Sequence, residues 1–176
     1  MDKRSIQDAI EILHGHHNDL LRNVNGFIFL TYKPKGRAQP EHCLSWNTQV
    51  EQFVKLVQDN LCGGTRIGFD ACFVPVLLKY STVNVDYIDA CECGFFSVYI
   101  DEKLNVKPCS FAPDDRYSFN LQEYSFQTIW KHQFADYRKI IADNQCSDDC
   151  RNKQHCRGKC VFFDQVTLCY HTLKTG

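Results

Sequence analysis

Apolar residues recur along the first part of the chain in two rhythms. Ile6, Ile10, Leu13, Leu20 and Leu21 fall at mostly helical spacing, with Ser5 placed to cap the helix. The run His14-Gly15-His16-His17 breaks that rhythm. Its glycine, followed by Asn18 and Asp19, predicts a solvated turn in preference to a histidine metal site. Val24 to Tyr32 is almost unbroken apolar sequence, the texture of a strand covered on both faces in a parallel sheet. It runs into the basic turn Lys33-Pro34-Lys35-Gly36-Arg37. From Ser45 to Leu61 the helical rhythm returns, with Val50, Phe53, Val54, Val57 and Leu61 on one face, Ser45 as cap and Gly63-Gly64 as stop. Arg66 to Phe73 predicts a second short strand. Residues 24–73 thus read as strand–helix–strand, a βαβ unit with a right-handed crossover.

After Pro75 the texture changes. Phe95 to Ile100 and Asn105 to Lys107 predict a hairpin turning through Asp101 to Leu104, and Phe126 to Ile141 predicts one or two short helices. From Cys146 to Cys160 the chain is polar and dense in cysteine, too poor in apolar residues to hold a fold by burial, so a metal staple would help it. The expected division is one domain over 1–85 and a second over 86–176.

Composition narrows the function. The 176 residues are 44% hydrophobic and 13% aromatic, enough for a core. A net charge of −1 lacks the basic excess that nucleic-acid binding requires, and no run of apolar residues is long enough to span a membrane. The N-terminal residues lack the apolar stretch of a signal peptide, so a reducing cytoplasm is expected. In that setting 11 cysteines, an odd number, point to metal ligation and away from a disulfide framework.

The densest group is Cys146-x3-Cys150-x5-Cys156-x3-Cys160, with Cys169 beyond it and Cys91, Cys93 and Cys109 before it. Short spacings let several thiolates converge on one inorganic centre. Zinc takes four, and a pair of cubane iron–sulfur clusters takes about eight. Cys43 and Cys62 read as small apolar fillers.

These motifs resemble the C-terminal part of radical S-adenosylmethionine enzymes that carry a SPASM domain. The carriers are Cys91-Glu92-Cys93-Gly94, the hairpin ending in Pro108-Cys109, the segment Ser125-Phe126-Gln127-Thr128-Ile129-Trp130, and the cysteine run to Cys169. Two features depart from the family. Leu104 stands where a glycine is usual, and three residues lie between Cys146 and Cys150 where the family has two. The resemblance implies an α/β chain: the C-terminal portion of a partial (β/α) radical S-adenosylmethionine barrel, then a small cysteine-rich α+β SPASM domain. It implies two auxiliary [4Fe–4S] clusters. One would use Cys109 and Cys160 with Cys91, Cys93 or both, and Cys72 or a substrate could take a site left open. The other would use Cys146, Cys150, Cys156 and Cys169. Family membership also implies a peptide or protein substrate.

The Cys-x3-Cys-x2-Cys loop that cleaves S-adenosylmethionine is absent from this sequence. The chain alone is therefore expected to be inactive, a fragment of a longer enzyme or a partner of a separate chain. S-adenosylmethionine would bind only in the complete enzyme, where Lys35 and Arg37 could meet a carboxylate at the barrel mouth. Two further readings stand beside this one: an electron-transfer subunit without catalysis of its own, and a zinc-binding interaction domain. No nucleophile arrangement stands out. Asp70, Asp101 and Glu123 are scattered acids of the kind that usually form a solvated face.

Overall fold

The computed structural model describes residues 1–16, 23–62, 66–143 and 150–170. They form two compact units, Met1–Asp89 joined by the segment that begins at Phe163, and Ala90–Phe162. The first boundary falls at Asp89, and the second unit ends at Phe162 where the pattern had carried it to 176. The reason is apolar burial, because Leu168 is 2% exposed and lies in the core of the first unit.

Helix α1 of the first unit spans Ile6–Leu13 and buries Ile6, Ala9, Ile10 and Leu13. Ser5 stands at its N-cap but makes no side-chain cap bond, and Asp2 supplies the side chain that does. The Asp2 carboxylate accepts the Ser5 N–H at 2.9 Å and the Arg4 N–H at 3.1 Å, while the Ser5 hydroxyl accepts the Asp2 N–H at 2.9 Å, a reciprocal capping box. The helix closes through Gly15, whose φ of +78° suits the αL turn that ends it; His17 lies outside the described residues.

Strand β1 is Phe27–Phe29, helix α2 Thr48–Cys62 and strand β2 Ile67–Phe69. The strands pair in parallel, Phe27 with Ile67 and Phe29 with Phe69. Asn47, not Ser45, caps α2 by accepting the Val50 N–H at 3.0 Å, and the stop expected at Gly63-Gly64 falls outside the described residues. Helix α3, Val74–Tyr80, follows at once, with Tyr80 stacked on Trp46. Helices α1 and α2 cover one face of the sheet, where Phe29 meets Phe53 edge-on at 5.2 Å. The strand expected to be covered on both faces is covered on one, for Ile28 is 75% and Leu30 60% exposed.

The second unit centres on an antiparallel sheet, β3 (Tyr99–Ile100), β4 (Asn105–Lys107) and β5 (Phe119–Asn120), in the order β3-β4-β5. The hairpin turn is tied by Asp101, which accepts the backbone N–H groups of Lys103 and Asn105 at 2.9 Å each. Leu104 sits in that turn at φ +64°, a conformation natural to glycine. Ser125 caps a short helix, α4 (Phe126–Thr128), which runs through a π-helical turn, Ile129–Gln133, into α5 (Ala135–Ala142). One small core gathers Val106, Ile129 and Phe134, and a second gathers Ala112, Tyr117, Tyr137 and Ile141. Among the described residues no helix is long and apolar enough to cross a membrane.

Candidate metal centre

Cys91 and Cys93 lead into a tight turn. The Glu92 carbonyl accepts the N–H groups of Phe95 at 2.9 Å and Phe96 at 3.0 Å, and Gly94 N–H closes on the Ser97 carbonyl at 2.8 Å. Gly94 has a φ of +73°, and a Cβ there would stand 2.7 Å from the Tyr137 ring and 3.1 Å from Pro108. Three segments therefore meet at one glycine: the Cys91–Cys93 turn, the strand end that carries Cys109, and helix α5. Arg138 fastens the junction, giving one guanidinium N–H to the Gly94 carbonyl at 2.9 Å and others to the carbonyls of Trp130 and Lys131.

This junction brings thiols together. The Cys93 side chain is in hydrogen-bonding contact with both Cys109 and Cys91. Those contacts, ahead of burial and the neighbouring thiolates, push the Cys93 thiol up. The bond from Cys93 lowers Cys91 to about 7, against its burial and with help from the charge of Arg157. The Phe111 N–H points at the Cys109 sulfur, 3.5 Å away. Burial pushes the Tyr137 phenol up, and Cys91, Cys93, Cys109 and Cys160 all push the same way. The Tyr137 side chain thus has the first three cysteines and Cys160 within electrostatic range. It stacks on Phe162 and meets Tyr117 edge-on, which walls the site with aromatic rings.

The other predicted ligands show no contact with this group among the bonds described. Cys150 is half-buried in the second unit, and Cys156 faces the Gly158 carbonyl at 3.8 Å. Cys146 lies outside the described residues. Cys169 belongs to the first unit, where its carbonyl accepts Lys79 Nζ at 3.1 Å, and Cys72 belongs there too. Cys43 is buried, and burial pushes its thiol up, as suits an inert filler; the Cys62 side chain lies outside the described residues. The described cysteines are thiols and not disulfides. The contacts among Cys91, Cys93 and Cys109 run as a chain through Cys93. Among the described residues, no group of three or more His, Cys, Asp or Glu is arranged to hold a metal ion.

The basic turn follows β1 at its carboxyl end. Lys33 forms an ion pair with Asp70, and Asp70 also accepts the Thr31 hydroxyl at 2.6 Å and the Thr31 N–H at 3.1 Å. Lys35 is half-buried and Arg37 exposed, on either side of Gly36 at φ +67°. Asp101 holds the hairpin turn, and Glu123 is exposed.

Sequence reasoning missed Lys33 and Asp70 as a pair, although Asp70 directly follows β2 and Lys33 lies four residues beyond β1. It also missed Gly94, Tyr137, Arg138 and Arg157. Only Gly94 and Arg157 carried a signal, each standing next to a cysteine. Comparison with protein-family models, with curated proteins and with solved structures finds no match to this chain.

Proposed function

We propose that this chain is an iron–sulfur cluster-binding protein, the auxiliary-cluster part of a radical S-adenosylmethionine oxidoreductase or maturase acting on a peptide or protein. The observation that carries the reading is the contact of Cys93 with both Cys91 and Cys109, with all three and Cys160 in electrostatic range of Tyr137. That set supports the first of the two clusters implied by the resemblance. The donor type is that of a thiolate-bound iron centre, since all four are thiols, brought from three segments: the Cys91–Cys93 turn, Cys109 and Cys160. The second cluster, at Cys146, Cys150, Cys156 and Cys169, rests on spacing alone.

When bound, such a cluster supplies an electron acceptor or an anchor for substrate. The chain's own residues do the preparatory work. Gly94 lets the Cys91–Cys93 turn approach helix α5, Arg138 fixes that approach, and Tyr117 and Phe162 hold the Tyr137 ring in place. The reaction on S-adenosylmethionine would belong to another part of the enzyme or to a partner chain, with Lys35 and Arg37 as candidate contacts in that assembly. A non-catalytic electron-transfer subunit would use the same centre.

A second reading, a zinc-binding interaction domain, uses only the Cys146–Cys169 group, whose short spacings suit the four thiolates of a tetrahedral zinc. Anaerobic purification and reconstitution, followed by iron, sulfide and zinc assays, decides between them. A brown protein with about four irons per cluster supports the first reading. A colourless protein with stoichiometric zinc supports the second, and a protein holding neither metal refutes both.

A further inference from the structure

Strand β3 forms one edge of the sheet β3-β4-β5. Its register sets Tyr99 opposite Lys107 and Ile100 opposite Val106. Along an antiparallel pair, bonded and non-bonded positions alternate. The Asp101 N–H donates to the Asn105 carbonyl at 3.1 Å, so the positions of β3 bonded to β4 are Asp101 and Tyr99. On the far side of β4 the Leu121 N–H donates to the Leu104 carbonyl at 3.0 Å, which by the same alternation directs the backbone of Val106 to β5. Ile100 therefore turns its N–H and C=O outward, away from the sheet. The Cys91–Cys93 turn covers this edge only at Ser97, through the bridge of Cys93 with Ser97.

The side chains are equally open. Ile100 shares a face with Val106, which is 0% exposed, yet Ile100 itself is 45% exposed. On the opposite face lie Tyr99, also exposed, and Asp101. The run Phe96-Ser97-Val98-Tyr99-Ile100 has strong strand propensity and holds no charge, proline or glycine, so nothing in it blocks another strand. The hairpin end of the sheet is acidic. Asp101 and Glu102 lie in the turn, and Glu123 follows Asn120, whose side chain donates to the Lys103 carbonyl at 2.8 Å; Lys103 is the base among them. The Tyr99 ring already receives one cation, Lys107 Nζ at 5.4 Å from its centroid.

We propose that β3 is a docking edge for an extended segment of a partner protein in which apolar residues alternate with lysine or arginine. The segment adds a fourth strand by bonding to the Ile100 N–H and C=O. Alternation places its apolar residues beside Ile100 on one face and its basic residues beside Tyr99 and Asp101 on the other. A second copy of this chain fits less well. Paired about Ile100, it would set Asp101 opposite Tyr99 and Glu102 opposite Val98, carboxylates against apolar side chains without a counter-charge. The proposal does not depend on how the cysteines are read.

The test uses the full chain and two end-blocked, fluorescent peptides, one alternating lysine with valine and the other glutamate with valine. Fluorescence anisotropy reads binding, and amide hydrogen exchange by NMR reads its place. The lysine–valine peptide should bind, should slow exchange at the Ile100 amide about tenfold or more at saturation, and should bind at least about tenfold more tightly than the glutamate–valine peptide at low salt. Ile100→Pro removes the outward N–H without touching the bonds to β4, a position where an edge strand tolerates proline. It should weaken the lysine–valine peptide about tenfold or more. Should that variant not fold, Glu102→Lys with Glu123→Lys decides, since both side chains are exposed and their reversal should exchange the preference between the two peptides.

An Ile100 amide left unprotected at millimolar lysine–valine peptide overturns the proposal, as does binding by Ile100→Pro within about threefold of wild type. Equal affinity for the two peptides, or a preference that the double reversal leaves unchanged, overturns the basic partner. A wild-type dimer in sedimentation that Ile100→Pro converts to a monomer assigns the edge to a second copy and overturns the proposal as well.

Discussion

Gly94→Ala is the sharpest perturbation available at the cysteine turn. Two separate costs attach to it. The backbone stands at φ +73°, where a residue with a Cβ is disfavoured by about 1–2 kcal/mol. The new methyl group would also lie 2.7 Å from the Tyr137 ring, inside any real contact distance. Tyr137 is 2% exposed and is packed between Tyr117 and Phe162, so it has nowhere to retreat. Overpacking of a close-packed core costs about 1–3 kcal/mol. The expected total is about 2–5 kcal/mol, taken from the stability of the second unit. Urea denaturation followed by circular dichroism and tyrosine fluorescence measures it. The two costs separate in a double-mutant cycle with Tyr137→Leu. In that background the steric part is relieved, and Gly94→Ala should cost only the backbone share of about 1–2 kcal/mol. A single-variant cost below about 0.5 kcal/mol, the level of an ordinary surface change, would refute the close approach. An unchanged cost beside Tyr137→Leu would refute the role given to the ring.

Three further outcomes are expected. Leu104→Gly should leave the second unit as stable as before or raise it by up to about 1 kcal/mol, because Leu104 holds φ +64° and is 44% exposed; thermal melting checks this, and a clear loss would count against strain there. Asp70→Asn should destabilise the first unit by about 2–4 kcal/mol in urea titration, since it strands Lys33 at a side-chain exposure of only 10%, and adding Lys33→Met should recover part of the loss. Asp2→Ala should cost about 1 kcal/mol at neutral pH by removing the cap of α1. Burial works against the Asp2 charge, but bonds from Ser5 and Arg4 prevail and hold the carboxyl well below its usual value. A depressed carboxyl stabilises the fold above its unfolded pKa of about 4, and that benefit fades as pH falls through the lower folded value. The gap between wild type and Asp2→Ala should therefore narrow in acid, and a gap that is constant with pH would refute the assignment.

What the sequence made legible was rhythm. The apolar face Val50, Phe53, Val54 and Val57 announced α2, and the run around Phe27 announced a strand that pairs in parallel with the one at Ile67. Local pattern failed where backbone geometry overrides it. Asp2 and Asn47 took the caps expected at Ser5 and Ser45, because a cap is decided by which side chain reaches the N–H groups three positions on. Cys91, Cys93 and Cys109 were visible as thiols, but their contact depends on Gly94 and Pro108 meeting Tyr137, a tertiary event with no sequence period. The ion pair of Lys33 with Asp70 was hidden for the same reason: parallel pairing of β1 with β2 is what sets the two side by side. Leu168 stands far from the other residues of its core, so no window on the chain could assign it there.

That placement of Leu168 has a consequence for the order of events during synthesis. Chains emerge from the ribosome at about 5–20 residues per second, and domains generally fold as units while they emerge. The first unit needs Leu168 in its core, together with Ile6, Phe53 and Phe73. It must therefore wait, with that core unfinished, while all of Ala90–Phe162 is made. The second unit is continuous in sequence and has no such debt. It can close its own two small cores before the residues translated first have closed around theirs, so the part of the chain made later would be the first to finish folding.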